Sequence, residues 1–230
     1  MLHKTRGIVL NYIKYKETSI IARVFTEAFG TQSYIINSVR SKKSKKGMAL
    51  LQPLSVLDMV VYYKKEKADG LQRMSEYKPA HHFVSIPFEV KKSAIALFVT
   101  ELLSKVLQDA EDEAHIFEFL FQFVVTLDTN QTNYESAHLY LLVQLTHYLG
   151  FGITTEDQLK KDNIIMEMSS SYDQIYEVIM KLNGEQLSFQ WTTPNSVRRD
   201  ALSFMIAYYK LHVEGFKDMK SLEVLGQLFR

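Results

Sequence analysis

The chain has 230 residues, 47% hydrophobic and 23% charged, proportions close to the globular average that predict a buried core and exclude a disordered chain. It contains no cysteine, which excludes disulfides, cysteine zinc sites and thiol nucleophiles. A net charge of +1 conceals an asymmetry: residues 1–80 hold 15 Lys and Arg against 6 Asp and Glu, net +9, and the other 150 hold 12 against 20, net −8, so the first part is expected to bind a polyanion.

Lys4, Arg6, Lys14 and Lys16 flank a short uncharged stretch that does not fit a secretory signal, and the expected location is the cytoplasm. From Thr5 to Tyr77, runs of β-formers at 5–15, 19–26, 31–39, 54–63 and 71–77 predict five strands. The short links Lys16-Glu17-Thr18 and Glu27-Ala28-Phe29-Gly30 suit a meander of the first three strands, and a long loop, 40–53, precedes the fourth. Five short strands in this length predict a barrel of the oligonucleotide-binding (OB) type. A sandwich is the other arrangement open to this pattern.

Beyond Pro79 the pattern is helical. Ser85 and Pro87 open a run to about Gln108, a second helix follows Asp112 to about Leu127, and a third runs from about Tyr134 to Leu149, capped by Thr132 or Asn133 and stopped by Gly150. Residues 157–165 are ambiguous. Tyr172 to Leu182 is helical and ends at Asn183-Gly184, Thr193-Pro194 opens a long helix to about Val213, and Leu222, Leu225 and Phe229 form a last helical stripe. Residues 136–155 carry no Lys, Arg, Asp or Glu, but His138, Gln144 and His147 favour a buried helix over a membrane span. The expected architecture is α+β in two parts: a five-stranded OB-type barrel over 1–80 that binds DNA and a mainly helical domain over 81–230 that binds partners.

Reaction chemistry leaves few traces. There is no GxSxG, HExxH or GxxxxGK[ST] segment, and Gly150-Phe151-Gly152 follows a helix and reads as its stop rather than as a dinucleotide fingerprint. His81 with His82, and His138 with His147, are spaced wrongly for chelation, and Glu111-Asp112-Glu113 reads as helix capping. The expectation is no catalytic residue, no metal and no cofactor.

The strongest signal is Arg40-Ser41-Lys42-Lys43-Ser44-Lys45-Lys46-Gly47, a cationic loop with no acid between Ala28 and Leu57. Arg6, Lys14, Lys16, Arg23, Lys64 and Arg73 lie on or beside the predicted strands, as do Tyr12, Tyr34, Tyr62 and Tyr63. Cations that follow phosphates and aromatics that stack on bases are what a single-strand binder needs. The expected DNA-contacting set is Arg6, Lys14, Lys16, Arg23, Arg40, Lys42, Lys43, Lys45, Lys46, Lys64 and Arg73, with Arg6, Tyr12, Lys14 and Lys16 sharing one strand parity.

Thr5-Arg6-Gly7-Ile8-Val9-Leu10, Tyr15-Lys16-Glu17-Thr18-Ser19, Gly30-Thr31-Gln32-Ser33-Tyr34 and Leu50-Leu51-Gln52-Pro53-Leu54 resemble the N-terminal barrel of the bacterial recombination-repair RecO family. Lys92-Ser93-Ala94-Ile95-Ala96 and the stretch Tyr208 to Leu225, with His212, Gly215 and Phe216, resemble its helical part. The resemblance implies a nucleoid-associated mediator without bond chemistry. It would bind single- and double-stranded DNA, anneal complementary strands and, with its partner RecR, load the recombinase RecA onto strands coated by single-strand-binding protein. It also implies that the acidic tail of that protein docks on the helical part, where Arg198, Arg199, Lys210, Lys217 and Lys220 are the candidate contacts. Many members carry a four-cysteine zinc module after the position of Leu149-Gly150-Phe151. Residues 153–192 have no cysteine here, so the segment Ile164 to Leu187 is expected to be held by apolar packing. Two further readings are a general RNA-binding or assembly protein and a metal-dependent nuclease, and the scattered acids of residues 1–80 count against the nuclease.

Overall fold

The computed structural model describes residues 1–41, 47–63, 70–107, 113–162, 164–184, 186–187, 189 and 192–229. The chain folds into two compact units, one made of Met1–Val84 with Val99–Val125 and the other of Ser85–Phe98 with Thr126–Arg230.

The first unit is built on five strands, β1 (Leu2–Tyr15), β2 (Ser19–Thr26), β3 (Gly30–Ile36), β4 (Val56–Tyr62) and β5 (Leu71–Pro79), closed into a barrel in the order β1-β2-β3-β5-β4. The first three form the expected antiparallel meander; β5 runs parallel to β3 and antiparallel to β4, which returns to β1. This is the strand order of an OB barrel. Val9, Ile20, Ala22, Val24, Tyr34, Leu57, Met59, Val61 and Met74 fill the interior. Gly7 is needed there, because a Cβ would strike the Met59 side chain and come within 2.6 Å of Val24 Cγ1.

The β2–β3 turn is fixed by Thr26, whose Oγ1 accepts from Phe29 N–H at 3.0 Å and donates to Gly30 O at 2.9 Å, while Gly30 supplies a φ of 59°. A bulge at Leu10, where Val9 pairs with Val24 but Asn11 with Arg23, shifts the phase of β1. Arg6 lies before it and Tyr12 and Lys14 after it, so the shared parity expected of them is broken: Tyr12 and Lys14 pair with core residues Ala22 and Ile20. They are nonetheless exposed, because the pairing of β1 with β4 ends at Ile8 and β1 runs on beyond it.

One sector of the outer barrel wall is covered within this unit. Ile8, Leu10 and Phe25 are buried, Phe25 packs on Phe117 with centroids 6.3 Å apart, and Thr31 Oγ1 donates to Leu107 O at 2.6 Å. The covering residues come from the end of α1 (Val90–Val106) and most of α2 (Glu113–Thr129), whose Ile116, Phe117, Leu120, Phe123 and Val124 are buried as the apolar run predicts.

The second unit holds the start of α1, the end of α2 and α3 (Ala137–Tyr148), α4 (Glu156–Lys161), α5 (Tyr172–Gly184), α6 (Asn195–His212) and α7 (Ser221–Leu228). Where a single third helix is expected from Tyr134, a 3-10 turn over Tyr134–Ser136 precedes α3. Its end is as predicted: Gly150 has φ 83°, its N–H bonds His147 O at 3.4 Å and Phe151 N–H bonds Thr146 O at 3.1 Å, a glycine stop that satisfies two terminal carbonyls. The ambiguous stretch contains α4, started by Gln158 Oε1, which accepts from Thr155 N–H at 3.1 Å. Ile175, Tyr176, Val178, Ile179 and Leu182 of α5 are buried at helical spacing. The Glu111 and Asp112 of the predicted cap lie outside the described residues. Among the described residues no helix is long and apolar enough to cross a membrane.

Candidate nucleic-acid interface

The uncovered sector of the barrel wall carries a cross-strand row. Ile13 on β1 pairs with Ile21 on β2, Ile21 with Ile35 on β3, Ile35 with Arg73 on β5, and Arg73 with Tyr62 on β4. Ile13 is 61% exposed and Tyr62 40%. The Arg73 guanidinium stands 5.6 Å from the Tyr62 ring centroid. The neighbouring row runs Asn11, Arg23, Ser33, Leu71, so a second guanidinium, that of Arg23, shares this face. A wall of branched apolar side chains with an accessible ring and two arginines can receive unstacked bases and bind the phosphates that join them.

At the β1–β2 end, Lys14 and Lys16 are exposed, Lys16 with φ 51° and its Nζ 5.4 Å from the Tyr15 ring. Arg40 comes to the same turn: its N–H bonds Thr18 O at 3.0 Å and its Nη1 donates to Lys16 O at 3.4 Å. Lys14, Lys16 and Arg40 therefore cluster, which parity on the sequence did not reveal. Lys42, Lys43, Lys45, Lys46 and Lys64 lie outside the described residues.

Arg6 has other neighbours. Its Nε and Nη2 donate to the Glu27 carboxylate at 3.0 and 2.7 Å, Nη2 also reaches Glu118 Oε2 at 3.1 Å, and the guanidinium lies 5.0 Å from the Phe117 ring centroid and 5.1 Å from that of Phe121. The hydrogen bond from Arg6 holds the Glu27 carboxyl below its usual range, and that of Glu118 is lowered first by Gln122 and then by Arg6. A phosphate has to compete with two carboxylates for this side chain. Of the tyrosines, Tyr12 and Tyr62 are accessible, Tyr63 is half-buried and stacks on Phe29 at 4.0 Å, and Tyr34 is wholly buried. Tyr34 belongs to the barrel core, so it offers no face to a base.

In the second unit, Arg198 and Arg199 are brought together on α6 beside a cavity of about 40 Å³ with His138, Leu202, Leu225 and Phe229 in its wall. Arg198 is buried, its Nη2 donating to Asn195 Oδ1 at 2.7 Å. Lys91, which the sequence reading missed, lies with Arg198 along an adjoining cleft of about 250 Å³. It stands more than 100 residues from Arg198 in the chain, so no local pattern joined the two. Lys210 pairs with Asp218 at 2.6 Å, and Lys217 and Lys220 are exposed in the segment leading to α7.

The segment expected to be held by apolar packing in place of zinc also makes polar bonds. Asp200 Oδ2 on α6 accepts from Ser169 N–H at 2.9 Å and Ser170 N–H at 2.8 Å, and Tyr172 Oη donates to Ile164 O at 2.8 Å. With no cysteine in the chain and no metal-holding group of three or more His, Asp or Glu among the described residues, the residues present do not fit a four-cysteinate zinc site.

Residues 1–83 match the family described as Recombination protein O N terminal and residues 87–177 match Recombination protein O C terminal. The chain is 32% identical over 244 residues to the DNA repair protein RecO of Bacteroides fragilis, covering all of both chains. It is 33% identical over 240 residues to that of Flavobacterium psychrophilum, covering 98% of each, and 29% identical over 245 residues to that of Phocaeicola vulgatus, again over both full lengths. With both parts matched in order and relatives aligned from end to end, the chain belongs to the RecO family.

Proposed function

We propose that this protein acts in DNA repair and recombination as a mediator that binds single- and double-stranded DNA on the open wall of its barrel. The observation that carries this reading is the row Ile13, Ile21, Ile35, Arg73, Tyr62 with Arg23 beside it. Lys14, Lys16 and Arg40 extend the cationic track, and Lys42, Lys43, Lys45, Lys46 and Lys64 belong to it by their charge and place in sequence. Arg6 is assigned a positioning role, since Glu27 and Glu118 already neutralise it.

The mechanism is charge neutralisation followed by partner exchange. Two strands repel each other through their phosphates, and a cationic surface lowers that repulsion while base edges stay free to pair. Annealing follows from this, and with RecR the bound strand is passed to RecA. The second unit receives the acidic tail of single-strand-binding protein, with Arg198, Arg199 and Lys91 as its cationic contacts and the apolar walls beside them as its seat. Lys210, Lys217 and Lys220 contribute only to the surrounding potential. The protein performs no bond chemistry in this scheme.

The test is a titration of labelled single-stranded DNA with wild type and with the double variant Arg23→Ala, Arg73→Ala. Affinity falling in the variant with an unchanged melting curve supports the open wall as the DNA path; equal affinity overturns it. An RNA competitor of equal length that displaces DNA at equal concentration would favour a general RNA-binding role, and cleavage of the DNA with magnesium or manganese would favour a nuclease.

A further inference from the structure

We propose that the free edge of β1 over Asn11–Tyr15 pairs with the same edge of a second copy of this chain when DNA occupies the open wall, so that two copies lay two DNA strands side by side and antiparallel. This rests on the reading of the open wall as the DNA path, and adds how the protein brings two strands together.

The edge is left by the way the barrel closes. On one side β1 pairs with β2 from Gly7 to Tyr15, but on the other it pairs with β4 only as far as Ile8. Val9 still bonds the chain on that side, its N–H donating to Ser55 O at 2.9 Å and its O accepting from Leu54 N–H at 2.9 Å. Beyond it, no strand among the described residues pairs with Asn11–Tyr15 on that side. By the alternation of an antiparallel ladder, every second residue of this run turns its N–H and C=O away from β2. An open row of such groups is a template for another strand. Asn11, Tyr12, Ile13 and Lys14 are all exposed, so neither face of the run is covered.

The edge fits itself. A two-fold axis at Ile13 sets this 61% exposed side chain against its own counterpart, Tyr12 against Lys14 of the second copy and Asn11 against its Tyr15. An apolar pair then stands at the centre, with a ring opposite an ammonium on each side of it. An axis at Lys14 would instead oppose two ammonium groups.

Charge keeps the edge single in the absence of DNA. Lys14, Lys16 and Arg40 cluster at this end, with Glu17 the one acid of the turn, so two copies brought edge to edge repel. Cations on an exposed edge strand are a common guard against pairing. Phosphates bound to the wall remove that repulsion. Five residues of edge also bury far less than the roughly 1,200 Å² of a stable interface, which leaves the pairing dependent on DNA.

The axis relating two antiparallel strands stands perpendicular to their sheet. Both open walls therefore face the same way, joined at Ile13, and a DNA strand held with the same polarity on each runs antiparallel to its neighbour. That is the arrangement complementary strands need in order to pair.

The experiment uses the full chain and a single strand of about eight nucleotides, within the site size of one OB barrel. The chain has no cysteine, so Ile13→Cys places one thiol at the axis, and copper phenanthroline supplies the oxidant. Directly opposed residues of an antiparallel pair have Cα atoms about 4.5–5.5 Å apart, within disulfide reach, and the covalent dimer should rise about tenfold when DNA is added to saturation. Tyr12→Cys, two positions out of register with its own counterpart, and the exposed Glu76→Cys on β5 should each give about a tenth of that yield. Wild type saturated with the same strand should sediment as particles of two chains. Single-chain particles, or an Ile13→Cys yield no greater than that of the other two variants, overturn the edge pairing and leave the DNA reading in place. An equal Ile13→Cys yield without DNA overturns the dependence on DNA. Wild type that binds no DNA removes the reading of the open wall, and this proposal with it.

Discussion

Arg6 and Glu27 face each other across β1 and the β2–β3 turn in a two-point grip, Nε to Oε2 at 3.0 Å and Nη2 to Oε1 at 2.7 Å. The pair joins the barrel to α2, because the same guanidinium bonds Glu118 and lies close to the rings of Phe117 and Phe121. A bidentate pair fixes direction as well as distance. It therefore fixes how this stretch of α2 lies against the start of β1.

Replacing Arg6 with alanine should lower stability by about 1–2 kcal/mol, the sum expected for a partly exposed pair and the loss of ring contact. Because the carboxyl of Glu27 is lowered in the folded protein, the pair's contribution is present above the unfolded carboxyl range and is lost as pH falls through the folded value. Arg6→Ala should thus destabilise at pH 7 and cost progressively less as pH falls through the folded Glu27 value, in a series of denaturant titrations taken downward from pH 7. A loss that stays equal throughout the series would assign the effect to packing alone.

Lys92 is completely buried, although its neighbour Lys91 is exposed. Its Nζ donates to Ser85 Oγ at 2.6 Å and Asn130 O at 2.5 Å, and lies 3.6 Å from Glu89. Ser85 Oγ in turn donates to Asp128 O at 2.5 Å, and Asp128 Oδ1 accepts from the N–H groups of Ser85 and Ile86, both at 2.9 Å. Lys92→Met removes a buried donor to Ser85 Oγ and Asn130 O, so the melting transition should drop by an amount equivalent to about 2–4 kcal/mol. Lys91→Met, one residue away on the exposed side, should leave the transition in place.

His138 is expected to make the second unit sensitive to acid. It is fully buried between Phe98 and Phe229, and burial, helped by the charge of Arg198, lowers its pKa to about 3. Between that value and the ordinary 6.5 the unfolded chain takes up a proton that the folded one refuses. Stability therefore falls as pH drops from about 6.5, by up to about 1.4 kcal/mol per pH unit. His138→Phe, which removes the unpartnered Nδ1 without leaving a hole, should be at least as stable at pH 7 and should show a flatter loss between pH 6.5 and 4.5. A variant as acid-sensitive as the wild type would place the titration elsewhere.

The barrel and the helix order were legible because their signals are local. Alternation, the Lys16-Glu17-Thr18 and Glu27 to Gly30 turns, the Gly150 stop and the apolar stripe of α5 each act within a few residues, and each appears where the pattern puts it. What escaped depends on residues far apart in the chain. The bulge at Leu10 is set by pairing with β2 and reverses which side chains of β1 look outward. Nothing local marks Arg6 or Lys92 as a paired cation: Arg6 meets Glu27 and Glu118, 21 and 112 residues away, and Lys92 meets Asn130, 38 away. Charge asymmetry pointed to the first part of the chain as the polyanion binder, but the outward row that joins Ile13 to Tyr62 across five strands has no linear signature.

That row is separable by experiment from the cationic segment that follows Arg40 in the sequence. Each phosphate neutralised on a single strand contributes about −0.7 to the slope of log affinity against log salt. About five engaged cations give a slope near −3.5 for the wild type, and Arg23→Ala with Arg73→Ala should make it shallower by about 1.4. Replacing Lys42, Lys43, Lys45 and Lys46 with glutamate changes the charge by −8 and almost cancels the +9 of residues 1–80. DNA binding and annealing should then collapse, whereas a peptide that binds the second unit should still bind, since none of the four residues belongs to it. The measurements are a salt series of DNA titrations, a strand-annealing assay, a melting curve and the peptide titration, all on the same preparations. DNA affinity that survives the four replacements in a folded protein would remove these lysines from the DNA path and leave the open wall, with Arg23 and Arg73, to account for binding alone. A wild-type slope near zero would remove the electrostatic mechanism altogether.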